Sequence, residues 1–289
     1  MAPEPVVAAA ATAKRSGARP RRHGLSFRAQ RGCATSRRFP MTAVFTRLPL
    51  AQQQSLMARI VARSRAVDGQ PAPVVVFDLD GTLMDNRPRT LAILKELAHE
   101  LRAEAHDSAD RLAAAEAEEL AYLLGDSMKK LGIEHPELVE RAEAFWKSRF
   151  FSDHYLKHDI AIAGAIELAK ACYEAGAVLV YFTGRDLPLM GIGSFQSLRD
   201  LGFPIGIVGT ELVCKPDAKI PDELFKRTEG PKLKRVGHVV AAFDNEPGNC
   251  NAFVEMNPDA EVVFIDTQHL PGAPPLDPRV HVVADFRMR

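Results

Sequence analysis

The sequence predicts an α/β fold: a parallel sheet flanked by helices, interrupted after its first strand by an all-helical insertion. Three observations carry this. Continuous β-branched and aromatic runs recur at residues 74–77, 178–182 and 239–243, the mark of strands covered on both faces. Helical stretches at 162–174 and 221–236 precede the second and third runs, as right-handed crossovers between parallel strands require. Each run ends in a polar cluster, and in such sheets ligands collect at the carboxyl ends of the strands.

Taken in order, residues 1–40 hold nine Lys/Arg and one acid, are rich in Ala, Ser and Pro, and show no hydrophobic period. They are expected to form a disordered basic extension. A transit peptide or a nucleic-acid arm would share this composition. The plainest reading is an extension without a role, with Met41 as an alternative start. Residues 41–72 are expected to supply an N-terminal helix and a linker, with Leu50, Gln53, Leu56, Met57, Ile60 and Val61 near one face. Gly69, Pro71 and Pro73 then break the chain before the first strand.

Residues 73–85 and 159–289 read as the core, and 86–158 as the helical insertion. Within the insertion, helices are predicted at 89–104 behind Pro88, at 109–124 ending at Gly125, and at 136–151. The cluster 146–151, with Trp146, Phe150 and Phe151, has helical spacing, which favours core packing over an entrance wall.

The chain has 289 residues, 46% hydrophobic and 26% charged, with 37 basic and 37 acidic side chains. Beyond residue 40 the balance is 28 basic to 36 acidic, net −8. An acidic body argues against nucleic acid as a general partner. No apolar run reaches membrane-spanning length, so no membrane association is expected. Cys33, Cys172, Cys214 and Cys250 form no C-x-x-C pair. Packing thiols in a reducing cytoplasm are the expectation, with organelle targeting by residues 1–40 left open.

The strand ends carry the chemistry. Asp78 and Asp80 stand at i and i+2 after the first run, so their carboxylates point the same way. Burying both needs a cation or a shared proton. Gly81 permits the tight turn that follows. The second run ends at Thr183-Gly184-Arg185, a hydroxyl, a permissive glycine and a guanidinium suited to phosphate. The third ends at Asp244-Asn245-Glu246, suited to a metal or, for Asp244, to a helix cap.

Asp78-Leu79-Asp80-Gly81-Thr82, Thr183-Gly184-Arg185 and Asp244-Asn245-Glu246 together resemble the haloacid dehalogenase-like superfamily of phosphohydrolases, over residues 73–285. The third motif departs from the family's usual paired-Asp or Gly-Asp form. The resemblance implies a Rossmann-like core with a helical cap that chooses the substrate. It implies Asp78 as nucleophile through an aspartyl-phosphate and Asp80 as general acid and then base. Thr183 and Gly184 would bind phosphate. Mg²⁺ would sit on Asp78, Asp80 (through its carbonyl) and Asp244, with Asn245 or Glu246 reaching it through water.

The family also needs a lysine. Lys226, 18 residues before Asp244, resembles the spacing of polynucleotide 3′-phosphatases and plant-type acid phosphatases. Lys215, 29 residues before it and followed by Pro216, resembles the sugar-phosphate mutase branch. Lys226 is favoured slightly. Arg185, Asn245, Glu246 and Arg87 are candidates to contact the substrate or to support the residues that do. Arg87 and Arg89, near the flap 84–87, are equally readable as contacts to a substrate anion and as solvated or capping charges. The expected activity is removal of phosphate from a small phosphorylated metabolite. The alternatives are a phosphomutase, a polynucleotide 3′-phosphatase and a non-catalytic phosphate-binding member.

Overall fold

The structure is a computed structural model and describes residues 45–289. The basic segment 1–40, expected to be disordered, lies outside the described residues, as does Cys33.

A first helix, α1 (Leu50–Arg63), buries Gln53, Leu56, Met57 and Ile60. Strand β1 (Pro73–Phe77) follows and is buried at every position. Two short strands, β2 (Met84–Asp85) and β3 (Ile160–Ala161), pair antiparallel. Between them lie α2 (Arg87–Leu101), α3 (His106–Ala114), α4 (Leu124–Lys130) and α5 (Pro136–Phe150). The rest alternates: α6 (Ala165–Glu174), β4 (Val178–Asp186), α7 (Leu187–Leu201), β5 (Thr210–Lys215), α8 (Asp222–Glu229), β6 (His238–Asp244), α9 (Pro247–Met256), β7 (Glu261–Ile265) and β8 (His281–Val283).

The main sheet has the order β5-β4-β1-β6-β7-β8, and every neighbouring pair is parallel. Strand alternation divides β1 between two cores. Val75 and Phe77 join Leu56, Met57, Leu168 and Leu198 on one face. Val74 and Val76 join Phe225, Cys250 and Phe253 on the other. Phe77 stacks between Tyr181 and Phe243, with centroids 6.2 and 5.0 Å away. Full burial of such a side chain stabilises by about 1.5–3 kcal/mol. The helical insertion has its own core, built on Leu94, Leu97, Leu101, Leu112 and Met128.

Two elements differ from the sequence expectation. The helix predicted over 109–124 is broken. Helix α3 stops at Ala114, Ala115 turns extended, and a 3₁₀ turn at Ala117–Glu119 opens with a reciprocal cap between Glu116 and Glu119. The break brings Leu120 and Leu124 into the insertion's core, so burial overrides Ala/Glu helix propensity. Gly125 lies inside α4 and terminates nothing.

The second strand does not end at Thr183. It bulges there and resumes: Phe182 pairs with Val213 and Asp186 with Lys215, so residues 183–185 stand opposite Cys214 alone. A bulge re-aims side chains. Here it falls on Thr183-Gly184-Arg185.

Candidate active site

The ends of β1, β4 and β6 meet at one cavity of about 1430 Å³, lined among others by Asp78, Asp80, Thr183, Lys226 and Asp244. The turn after β1 is tight. Gly81 has φ +74°, and a Cβ there would fall 2.3 Å from the Asn245 amide nitrogen. Only glycine fits both the conformation and the space. Thr82 Oγ1 lies 3.0 Å from both Asp78 Oδ2 and Asn245 Oδ1, and its single proton is shared between these acceptors, which ties the turn to the end of β6.

Lys226 occupies the centre. Its Nζ donates to Asp78 Oδ1 at 2.7 Å and to Asp244 Oδ2 at 2.6 Å, and all three residues are buried. The two carboxylates raise the ammonium's pKa against the pull of burial. Asp78 is pushed up to about 7 by burial, opposed by Lys226 and helped by the Asp244 and Asp80 charges. One ammonium thus serves two buried carboxylates and leaves negative charge over.

Lys215 also lines the cavity, but its Nζ goes to Asp222 Oδ1 at 2.5 Å and to the Ile220 carbonyl at 2.9 Å. It makes no pair with Asp78 or Asp244. Asp222 in turn lies against Gly184, where an added Cβ would meet its Oδ2 at 2.3 Å. Thr183 Oγ1 accepts from the Arg185 amide at 3.2 Å, which leaves its hydroxyl proton free to donate into the cavity.

Arg185 lines the cavity but directs its donors to carboxylates behind the site. Its Nε and terminal nitrogen donate to Asp80 Oδ2 and Oδ1, each at 2.8 Å, and the same terminal nitrogen reaches Asp159 Oδ2 at 2.7 Å. Arg89, also a candidate substrate contact in sequence, is fully buried. It donates to Asp80 Oδ1 at 2.5 Å and to both oxygens of Asp159 at 2.8 and 2.6 Å. Two guanidiniums and two carboxylates therefore form one network at the neck of the insertion. The two arginines outweigh the desolvation of Asp80 and hold its carboxyl far below the ordinary range.

Arg87 uses its charge locally, the alternative the sequence also allowed. It donates to Asp85 with Nε and its terminal nitrogen and opens on a separate cavity of about 400 Å³ beside Arg47 and Thr267. At the start of α2 its nearest acid is two residues away, and that local pair wins.

After β6, the Asp244 Oδ1 accepts from the Glu246 amide at 2.9 Å and from Asn249 Nδ2 at 3.1 Å. Asn245 donates to the Gln268 carbonyl at 2.7 Å, and Glu246 accepts from the Leu270 amide. Both side chains bind the 266–270 segment. Glu246 is pushed up to about 7 by burial and by Asp244.

Among the described residues no group of three His, Cys, Asp or Glu side chains is gathered to hold a metal. Asp78 and Asp244 do converge, through Lys226, in a pocket whose donors are all oxygen and whose charge is net negative. That set fits a hard divalent cation such as Mg²⁺, with a backbone carbonyl and waters completing the shell.

Sequence reasoning missed Asp159 and Asp222. Each is a lone acid with no motif around it, and nothing local marks either one. Trp146 packs against the insertion's core and Phe150 is buried, as their helical spacing predicts, and both also line the cavity; Phe151 is exposed on its wall.

A family model described as haloacid dehalogenase-like hydrolase matches residues 72–249, more than half of the chain. No curated protein sequence matches it. Among solved structures, an inferred phosphatase of Clostridium difficile aligns at 14% identity and TM-score 0.46, covering 72% of this chain and 93% of its own. Protein tyrosine kinase A of Mycobacterium tuberculosis aligns at 15% identity and TM-score 0.46, covering 75% and 94%. A haloacid dehalogenase-like family hydrolase of Streptococcus pneumoniae aligns at 11% and 0.39, covering 66% and 83%. Likenesses this distant add no argument; the family model is the stronger finding. No helix among the described residues is long and apolar enough to cross a membrane.

Proposed function

The chain belongs to the haloacid dehalogenase-like hydrolases, and from that premise we propose that it is a Mg²⁺-dependent phosphohydrolase. It would remove phosphate from a small phosphorylated metabolite by way of an aspartyl-phosphate on Asp78. The observation that carries this is Lys226 bridging Asp78 and Asp244 on the floor of the cavity.

In the first step an Asp78 oxygen attacks phosphorus, the bond from phosphorus to the alcohol oxygen breaks, and that oxygen takes a proton from Asp80 or from water. Lys226 and the Thr183 hydroxyl stand where they offset the charge of the transferring group. Asp78, Asp244 and the Asp80 carbonyl would hold Mg²⁺, which supplies further charge stabilisation at the phosphoryl oxygens. In the second step water attacks phosphorus, the bond from phosphorus to Asp78 breaks, and Asp80 takes the water's proton. Asp80 is ionised by the clamp, which is the form the second role starts from. Both proton roles pass through a protonated Asp80, which gives up charge-assisted bonds to two arginines.

Phosphate release from a panel of phosphorylated metabolites, with Mg²⁺ and with EDTA, tests the reading against Asp78→Asn. Metal-dependent release lost in the variant supports it. Release that survives in Asp78→Asn, or none from any ester by folded protein, refutes it.

A further inference from the structure

We propose that the cavity selects phosphate monoesters whose alcohol carries a planar aromatic group, which packs on a wall made by Trp146, Phe150 and Phe151. This rests on the phosphohydrolase reading and names its substrate class.

The first observation is size. Small-molecule sites occupy roughly 300–1,000 Å³, and this cavity has about 1430 Å³. A phosphate with a few-carbon alcohol would fill the acidic floor and leave the rest open.

The second is the build of the wall. Its three rings come from the last turns of α5 and the residue that ends it. Their centroids lie 4.4, 5.1 and 5.7 Å apart, with interplanar angles of 30°, 78° and 76°. These are the tilted and edge-to-face spacings that aromatic pairs prefer, and they suit the addition of a further ring.

The wall is held from behind. The Arg89 guanidinium sits 4.3 Å from the Phe150 centroid and also donates to the Phe150 carbonyl. The Trp146 indole N–H donates to Thr90 Oγ1 at 3.0 Å, so the ring's polar edge is satisfied away from a ligand. The neighbouring cation Arg149 is turned onto Phe145 and Glu96. Phe150, covered by Arg89 and Trp146, backs the wall, and Phe151, 42% exposed, presents the open ring; Arg149 is turned away from it.

The third is unpaired apolar surface. Phe151 is 42% exposed, and Tyr122, Leu123 and Leu189, which line the same cavity, are 42%, 44% and 52% exposed. Apolar side chains from separate segments converge around a floor of charged groups. An apolar body with one phosphate matches that division.

The test uses three esters of primary alcohols, so that the leaving oxygen is always bonded to CH₂: benzyl, cyclohexylmethyl and ethyl phosphate. With the full chain and Mg²⁺, kcat/KM for the benzyl ester should exceed the other two, by 10-fold or more over ethyl and mainly through KM. Phe151→Ala, at an exposed helix end, should bring the benzyl-to-ethyl ratio close to 1. Trp146 is the chain's single tryptophan, so its fluorescence reports the wall directly. Benzylphosphonate, which cannot be hydrolysed, should change it at concentrations at least 10-fold below ethylphosphonate.

Equal handling of benzyl and ethyl compounds in both assays overturns the inference while leaving the hydrolase reading intact. Equal handling of benzyl and cyclohexylmethyl overturns the aromatic class in favour of apolar bulk. Preferential benzylphosphonate binding without hydrolysis of any ester supports the wall and refutes the hydrolase. Neither binding nor hydrolysis overturns both.

Discussion

Arg185 grips Asp80 side-on, Nε to Oδ2 and terminal nitrogen to Oδ1, both at 2.8 Å. The grip keeps Asp80 in its acceptor form, with Arg89 adding a third charged donor. Departure of the alcohol should then draw little help from a proton donor. For substituted phenyl phosphates, kcat/KM should rise steeply as the phenol becomes more acidic. A flat dependence across the series would show that Asp80 delivers a proton in spite of the clamp.

Arg89 should matter for stability as well as for activity. It is fully buried and holds Asp159, which has no exposed side-chain surface. Removing one partner of a buried pair leaves a stranded charge and typically costs about 3–5 kcal/mol. Arg89→Met should lower the urea midpoint accordingly with the slope unchanged. A loss below about 1 kcal/mol, the range of surface pairs, would mean that Arg185 alone satisfies Asp159.

The two lysines should separate cleanly. Lys226→Met leaves Asp78 and Asp244 without their cation and should abolish phosphate release. Its melting temperature should also climb more with added Mg²⁺ than that of the wild type, since a bound cation stabilises by RT ln(1 + [L]/Kd), about 2.7 kcal/mol at 100 Kd. Lys215→Met disturbs only Asp222 and the Ile220 carbonyl and should keep most of the activity. Thermal melts with Mg²⁺ and with EDTA, beside phosphate release, check all three forms. Equal loss in both variants would assign Lys215 a part in the chemistry.

Acid should loosen the docking of α1. Burial raises the Asp285 carboxyl, but its bonds to Arg287 and Gln53 outweigh this and hold it below its ordinary value. A carboxyl depressed in the folded state stabilises fully above its unfolded pKa, about 3.9. That contribution is lost as pH falls from there through the folded value. The stability of Asp285→Asn should therefore fall less steeply below about pH 4 than that of the wild type. Parallel curves in urea melts from neutral to acid pH would remove Asp285 from the linkage.

Much of this molecule is legible along the chain. The runs at 74–77 and 239–243 leave no polar alternation for a one-sided strand, so they require cover on both faces. That alone implies a parallel sheet with crossover helices. Asp78 and Asp80 both line the cavity just past the end of the run at 74–77, and Gly81 follows because the turn there demands a positive φ. These features come from backbone periodicity and sterics, which are local.

The partners of the charges were settled only by tertiary structure. Lys226 and Lys215 are both open candidates in sequence, and the difference arises because α8 packs on β4 and brings together residues 148 positions apart. Arg185 at a strand end has the same local signature whether it faces a substrate or a carboxylate; it meets Asp80 from 105 positions away and Asp159 from 26. The Trp146–Phe151 cluster has helical spacing in either role. Whether its rings become core or cavity wall depends on which helices cover them, and that is fixed by packing between distant segments, where no local periodicity reaches.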